Sequence, residues 1–164
     1  MSSPSVNASA PAAGATDKPD PKPEISEMMA RARAAQKVIE NYTQEQADEL
    51  VNAIGWAVVR EMQSLAELAV EEGGFGNVPD KLQKIRKRVT GTIKDMKPVK
   101  TVGIVEEIPE KGLVKIAKPV GVVAAIIPST GPDATPPMKA LWALKARNAI
   151  IVAAHPKTQQ SSKL

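Results

Sequence analysis

The residues Pro128-Ser129-Thr130-Gly131-Pro132-Asp133 stand between an unbroken apolar run and an amphipathic one. Two hydroxyls and the free backbone N–H donors of a strand-to-helix turn can hydrogen-bond a pyrophosphate, a ribose or an oxyanion. The Gly-rich dinucleotide fingerprint is absent and many such turns bind nothing, so spacing alone leaves open both a ligand role and a plain connector. The chain's one histidine, His155, closes a second apolar run and is followed by Pro156. Such a histidine is a candidate ligand contact, although a structural or solvated residue is the commoner use of that position. The absence of cysteine excludes a disulfide framework, a thiolate metal site and a cysteine nucleophile within these 164 residues.

The flanking segments show how those groups would be held. Val120 to Ile127 is continuously apolar, which predicts a strand covered on both faces, as in parallel α/β sheets, and Ala149 to Ala154 has the same character. Between them the prolines break the strand, Asp133 or Thr135 is placed to cap a helix, and Pro136 suits its first turn. Met138, Leu141, Trp142 and Leu144 or Lys145 would cover the sheet. The result is one βαβ unit, and ligands in such sheets bind beyond the carboxyl ends of the strands. The turn 128–133 and the segment 153–157 would flank one crevice there.

Upstream the periodicity is helical. Met28, Ala32, Ala35 and Ile39 draw one stripe over 24–40. Thr43 with Gln46 matches a capping box for a helix running to about Glu72, with Leu50, Ile54, Ala57, Leu65 and Leu68 on one face and Gly73, Gly74 and Gly76 ending it. A third helix is expected over 80–96 along Leu82, Ile85, Val89, Ile93 and Met96. The basic residues around that stripe, Lys81, Lys84, Arg86, Lys87, Arg88 and Lys94, read either as a phosphate-binding helix or, more simply, as a solvated face. From Thr101 to Ala117 the period becomes two, and the turn IPEKG predicts a hairpin with Gly112 in its loop. Isolated hairpins are marginal, so this one needs a surface: its own domain, or another subunit that adds strands to its edge.

The fold class is therefore α/β: N-terminal helices, a β-hairpin, then the first βαβ of a Rossmann-like domain. Expected boundaries are a disordered Pro-, Ala- and Ser-rich tail over 1–23, a helical segment over 24–100, a hairpin over 101–118 and a nucleotide-binding portion from 119 to 164. No signal peptide, presequence or membrane-length apolar stretch stands out, which points to a cytoplasmic protein. The net charge of +4 invites nucleic acid, but one tyrosine and one phenylalanine leave little for base stacking.

The last third of the chain, with its KALWALKARN helix, its Pro128-Ser129-Thr130-Gly131-Pro132 turn and its His155-Pro156 strand end, closely resembles the aldehyde dehydrogenase superfamily, in particular the coenzyme-A-acylating branch. That resemblance implies interconversion of an aldehyde and an acyl-CoA with NAD or NADP, with CoA as co-substrate and a cysteine nucleophile. It implies that Ile127, Pro128, Ser129, Thr130, His155 and Pro156 line the cofactor site, and that Thr130 stands where non-acylating members place an Asn oxyanion donor. His155-Pro156 resembles the acylating branch's replacement for the residues that contact the adenosine ribose elsewhere. Gly131 stands where many acylating relatives carry Asn.

The family's cysteine and general-base glutamate have no counterpart in these residues, so the chain by itself is expected not to turn over aldehyde, and strands buried on both faces but lacking neighbours are expected to fold poorly. A homo-oligomer through the hairpin is the expected assembly. Two other classes fit some of the pattern: an interaction protein that pairs with a longer relative, and a basic nucleic-acid binder centred on Arg86, Lys87 and Arg88. The terminal Ser162-Lys163-Leu164 coincides with a peroxisomal address, which chance explains more simply.

Overall fold

The computed structural model describes residues 23–163, so the expected tail lies almost wholly outside the described residues. The elements run α1 (Pro23–Ile39), α2 (Gln44–Arg60), α3 (Met62–Gly73), α4 (Val78–Met96), β1 (Gly103–Ile108), β2 (Leu113–Ala117), β3 (Val122–Ile126), α5 (Thr135–Lys145) and β4 (Ala149–Ala153). Single turns of 3-10 helix follow β1 and β4.

Local chemistry sets most of the boundaries. Thr43 and Gln46 form the expected capping box on α2, and the Asn77 side chain accepts from the Asp80 amide at the start of α4. Gly74 closes α3 in the left-handed region at φ 69, a conformation that glycine adopts without a side-chain clash. The single long helix expected from Thr43 to about Glu72 is instead two, broken at Glu61. The buried stripe explains the break. Ala47, Val51 and Gly55 are buried in α2, whereas Leu65, Ala66 and Ala69 are buried in α3. From Gly55 to Leu65 a straight helix would carry the stripe about 280° round its axis, so the chain must bend to keep both stripes inward. The same rotation leaves Ala57, expected on the inner face, exposed.

One core joins α2, α3, α4 and α5, with Val51, Leu65, Ala66, Ile85, Val89, Ala134 and Leu141 at its centre. Gly55 lies where α2 crosses α4, and a β-carbon there would collide with Ile93. In α1 the inner positions are Ala32, Gln36 and Ile39, while Ala35 turns out to solvent.

β3 and β4 pair in parallel, Val122 with Ala149 through Ile126 with Ala153. α5 covers one side of this pair and α1 packs against β4 and β3 from another part of the chain, which supplies cover that the βαβ lacks by itself. The expected complete burial of the strand is corrected: Val120 and Ile126 are 85% and 79% exposed, because the two-stranded sheet has open edges. Trp142, expected over the sheet, is 54% exposed beside the β3 edge, while Met138, Leu141 and Lys145 are buried. α5 presents its inner face to α2 as well as to the sheet, and that rotation leaves Trp142 outside.

β1 and β2 form the expected antiparallel hairpin, with Gly112 left-handed at φ 61 and an irregularity between Ile104 and Glu106. Every residue of both strands is exposed except the half-buried Ile108 and Ala117. Packing on its own domain, one of the two surfaces expected for it, is therefore not what the structure shows.

Arg147 and Asn148 tie these elements together. Arg147 takes a left-handed backbone at φ 59. Its guanidinium donates to the carbonyls of Glu40 at 2.6 Å and of Tyr42 and Ala117 at 3.4 Å. The Asn148 carbonyl oxygen accepts from the amides of Val120 at 2.7 Å and Gly121 at 3.0 Å, and its NH2 donates to Ala143 and Ala146 at 3.3 and 3.4 Å. Gln36 completes the junction, accepting from the Ala149 amide at 2.6 Å and donating to the Arg147 carbonyl at 3.0 Å.

The segment after β4 is clasped to α3 by Glu72, whose carboxylate accepts from the amides of Gln160 at 3.0 Å and Ser161 at 2.7 Å and from the Ser161 hydroxyl. These donors, the Ser161 hydroxyl first, hold the Glu72 carboxyl below its ordinary 4.5.

Two outcomes follow from these contacts. Asn148→Ala strands two backbone donors and should lower stability by about 2–3 kcal/mol in urea unfolding. A carboxyl whose folded value is depressed stabilises the fold above 4.5 and loses that contribution as pH falls through its lowered value. Glu72→Gln should therefore flatten the acid side of a melting-temperature profile between about pH 5 and pH 3, leaving the neutral side parallel to the parent.

Candidate functional site

The parallel register brings the two expected halves of the site together. Ile126 sits opposite Ala153, and the Ile127 amide donates to the Ala153 carbonyl at 3.0 Å, so the chain leaves both strands at one edge. Ile127 is buried at 1% exposure and anchors the turn, whereas Pro128 and Thr130 are exposed and Ser129 is half-buried. Within the turn the Gly131 amide donates to Pro128 O at 3.3 Å and the Thr135 amide to Gly131 O at 3.1 Å. At the same edge His155 is half-buried and Pro156 exposed. His155 Nδ1 accepts from the Lys157 amide at 3.1 Å, which leaves Nε2 as the ring nitrogen available to another partner.

α3 forms the floor of this edge. Gly73 lies under the turn, where a β-carbon would come 3.4 Å from Ser129 O. Lys157 Nζ donates to Gly73 O at 2.9 Å and sits 5.2 Å from the centre of the Phe75 ring.

Neither Asp133 nor Thr135 caps α5. Ala134 occupies the cap position without a side-chain bond, and Pro136 and Pro137 sit in the first turn, where missing N–H donors cost nothing. Asp133 is fully buried and serves a different purpose. Lys84 Nζ donates to its Oδ1 at 2.9 Å and lies 2.7 Å from Oδ2, and Lys81 Nζ lies 3.5 Å from Oδ1. Lys81 itself is only 5% exposed. Burial pulls its pKa below the usual lysine value; Asp133 pushes it back up and Lys84 lowers it further.

Within the basic run Lys81 is thus an interior group and Lys84 a half-buried one, while Arg86, Lys87 and Arg88 are exposed as expected. The trio was only partly legible. Lys81, Ile85 and Val89 recur every four residues, which places Lys81 on the buried stripe; nothing local pairs it with an aspartate from a turn so far along the chain. Among the described residues no cluster of His, Asp or Glu could hold a metal ion.

The model of the aldehyde dehydrogenase family matches residues 8–164. The chain belongs to the aldehyde dehydrogenase family. It is 50% identical over 129 residues to a sulfoacetaldehyde dehydrogenase (acylating) of Bilophila wadsworthia, covering 77% of this chain and 28% of that protein. It is 46% identical over 138 residues to a succinate-semialdehyde dehydrogenase (acetylating) of Clostridium kluyveri, covering 84% and 30%. The crystal structure of an acetylating aldehyde dehydrogenase from Geobacillus thermoglucosidasius superposes with a TM-score of 0.82 at 44% identity over 85% of this chain and 31% of that one. The chain thus spans about 30% of the length of the family members it matches. The KALWALKARN helix gains a structural meaning within this family member: Lys145 pairs with Asp48, and Arg147 and Asn148 build the junction at the base of β4.

Among the described residues, Asp133→Asn removes the buried countercharge that Lys81 and Lys84 share. Stability should fall by about 3 kcal/mol, the low end for an uncompensated buried charge because Lys84 is partly exposed, and Lys81→Met in the same chain should recover some of the loss in denaturant unfolding.

Proposed function

We propose that this chain forms the cofactor-side portion of a CoA-acylating aldehyde dehydrogenase that interconverts a short aldehyde and its acyl-CoA with NAD or NADP, in the cytoplasm. The carrying observation is the convergence of Pro128–Thr130 and His155–Pro156 at one edge of a parallel strand pair. The identity to acylating relatives supports the reaction class. Both relatives are named for aldehydes that end in an acid group, and an acidic aldehyde is the substrate class proposed here.

The residues suit such a cofactor. Ile127 fixes the turn from below, Ser129 and Thr130 present hydroxyls, and His155 has Nε2 available for a ribose or phosphate. Bound NAD(P) supplies the hydride acceptor. Thr130, exposed at the crevice, donates to the aldehyde oxygen as negative charge builds on it, an interaction stronger in the transition state than in the bound aldehyde. The nucleophile is a thiol that these 164 residues do not contain. The hairpin, exposed on both faces, is the proposed surface for a second subunit.

The test is a chimera in which this chain replaces the matching portion of the Bilophila wadsworthia enzyme. The chimera should form acyl-CoA, while the 164-residue chain by itself should not. Thr130→Ala should lower kcat about 100-fold with little change in KM for the cofactor. His155→Ala should raise KM for the cofactor and spare kcat. A Thr130→Ala chimera with parental kcat would remove the assigned role.

A further inference from the structure

We propose that the shallow cavity between α4 and the 128–133 turn receives the acid group of the aldehyde, a sulfonate or carboxylate, with Lys81 and Lys84 as specificity-determining residues. The inference rests on the aldehyde dehydrogenase reading and assigns the residues that recognise its substrate. The cavity holds about 210 Å³ and is lined by Phe75, Gly76, Asp80, Lys81, Lys84 and Thr130. The cavity is open on one side and has room for a small molecule. Thr130, the proposed oxyanion donor, and the two lysines therefore face one space, as a short molecule with an aldehyde at one end and an acid at the other requires.

Two ammonium groups here meet two carboxylates, so the placement of the donors, not a net charge, is what favours an anion. Beneath the cavity floor the ammonium groups of Lys81 and Lys84 share one carboxylate, Asp133. Asp80 at the rim is exposed, and its carboxylate already accepts from the Asn77 amide group at 2.7 Å. Lys84 takes the near positions on Asp133, so the ammonium of Lys81 is left with an acceptor no closer than 3.5 Å, at the limit of hydrogen-bond length. Lys81 is 5% exposed as a residue, and Asp133 leaves donors of its ammonium without a close acceptor. An oxyanion in the cavity would match them with charge-assisted hydrogen bonds. The depressed pKa of Lys81, caused first by burial, fits a cation that lacks enough acceptors. Gly76 lines the cavity in the left-handed region at φ 74, a conformation that favours glycine.

The same oxyanion chemistry could come from a cofactor phosphate, and the experiment separates the two. In the chimera, kcat/KM is measured for an acidic aldehyde and for a neutral aldehyde of matched length. Lys81→Met should cut the acid-to-neutral ratio about tenfold or more through KM of the acidic aldehyde, leave KM for the cofactor unchanged, and be partly rescued in Lys81→Arg. An unchanged ratio, or an effect confined to KM of the cofactor, overturns the assignment. A parent chimera that turns over neither aldehyde defeats the activity reading. The acid site is then still decided on the 164-residue chain by titrating 2-hydroxyethanesulfonate or ADP against backbone amide shifts. Shifts at Gly76, Lys81, Lys84 and Thr130 with the sulfonate, lost in Lys81→Met, support the site; shifts there with ADP alone, or with neither, refute it.

Discussion

Everything that positions the crevice depends on how β4 begins. Arg147 turns the chain through a left-handed residue, and Asn148 then uses one side chain to satisfy two amides of the chain entering β3 and two carbonyls at the end of α5. A parallel pair of strands has no tight turn to set its register, because the crossover helix intervenes. Here the register is set by side-chain hydrogen bonds at the base of the unit, opposite the carboxyl ends of the strands. The guanidinium of Arg147 extends the constraint to the α1–α2 loop and to the end of the hairpin, and Gln36 brings α1 onto β4. The Arg147-Asn148 pair that carries part of the family resemblance is, in the fold, a scaffold.

The other organising feature is electrostatic. Asp133 has no exposure, and α4 brings Lys81 and Lys84 to it from the helical layer. The ion cluster joins the ligand turn to the helical layer. It also leaves one ammonium short of acceptors beside Thr130, which is the physical basis for reading the adjoining space as an acid-binding pocket. The same three side chains that tie the turn to α4 are the ones assigned to recognition in the proposal. Lys145 with Asp48 repeats the device at the C-terminal end of α5, and Thr101 donates to the Lys145 carbonyl at 2.6 Å to bring the hairpin's leading end into the same arrangement.

The sequence by itself determined the elements with strong local signals: the capping box at Thr43, the glycine stop after α3, the hairpin turn at Gly112, and the βαβ with prolines after its first strand. It also carried the family, because many matched positions in order are more specific than any single motif. Tertiary structure decided what has no local signal. Glu61 breaks a helix that periodicity runs through, since two buried stripes of different phase must both face one core. Asp133 is an ion-pair centre rather than a cap, since its partners come from α4. Trp142 stays outside, since α5 divides its inner face between α2 and the sheet. Periodicity and capping are properties of neighbours along the chain, whereas the direction of a bend, the partner of a buried charge and the face a helix turns inward depend on residues that only folding brings together.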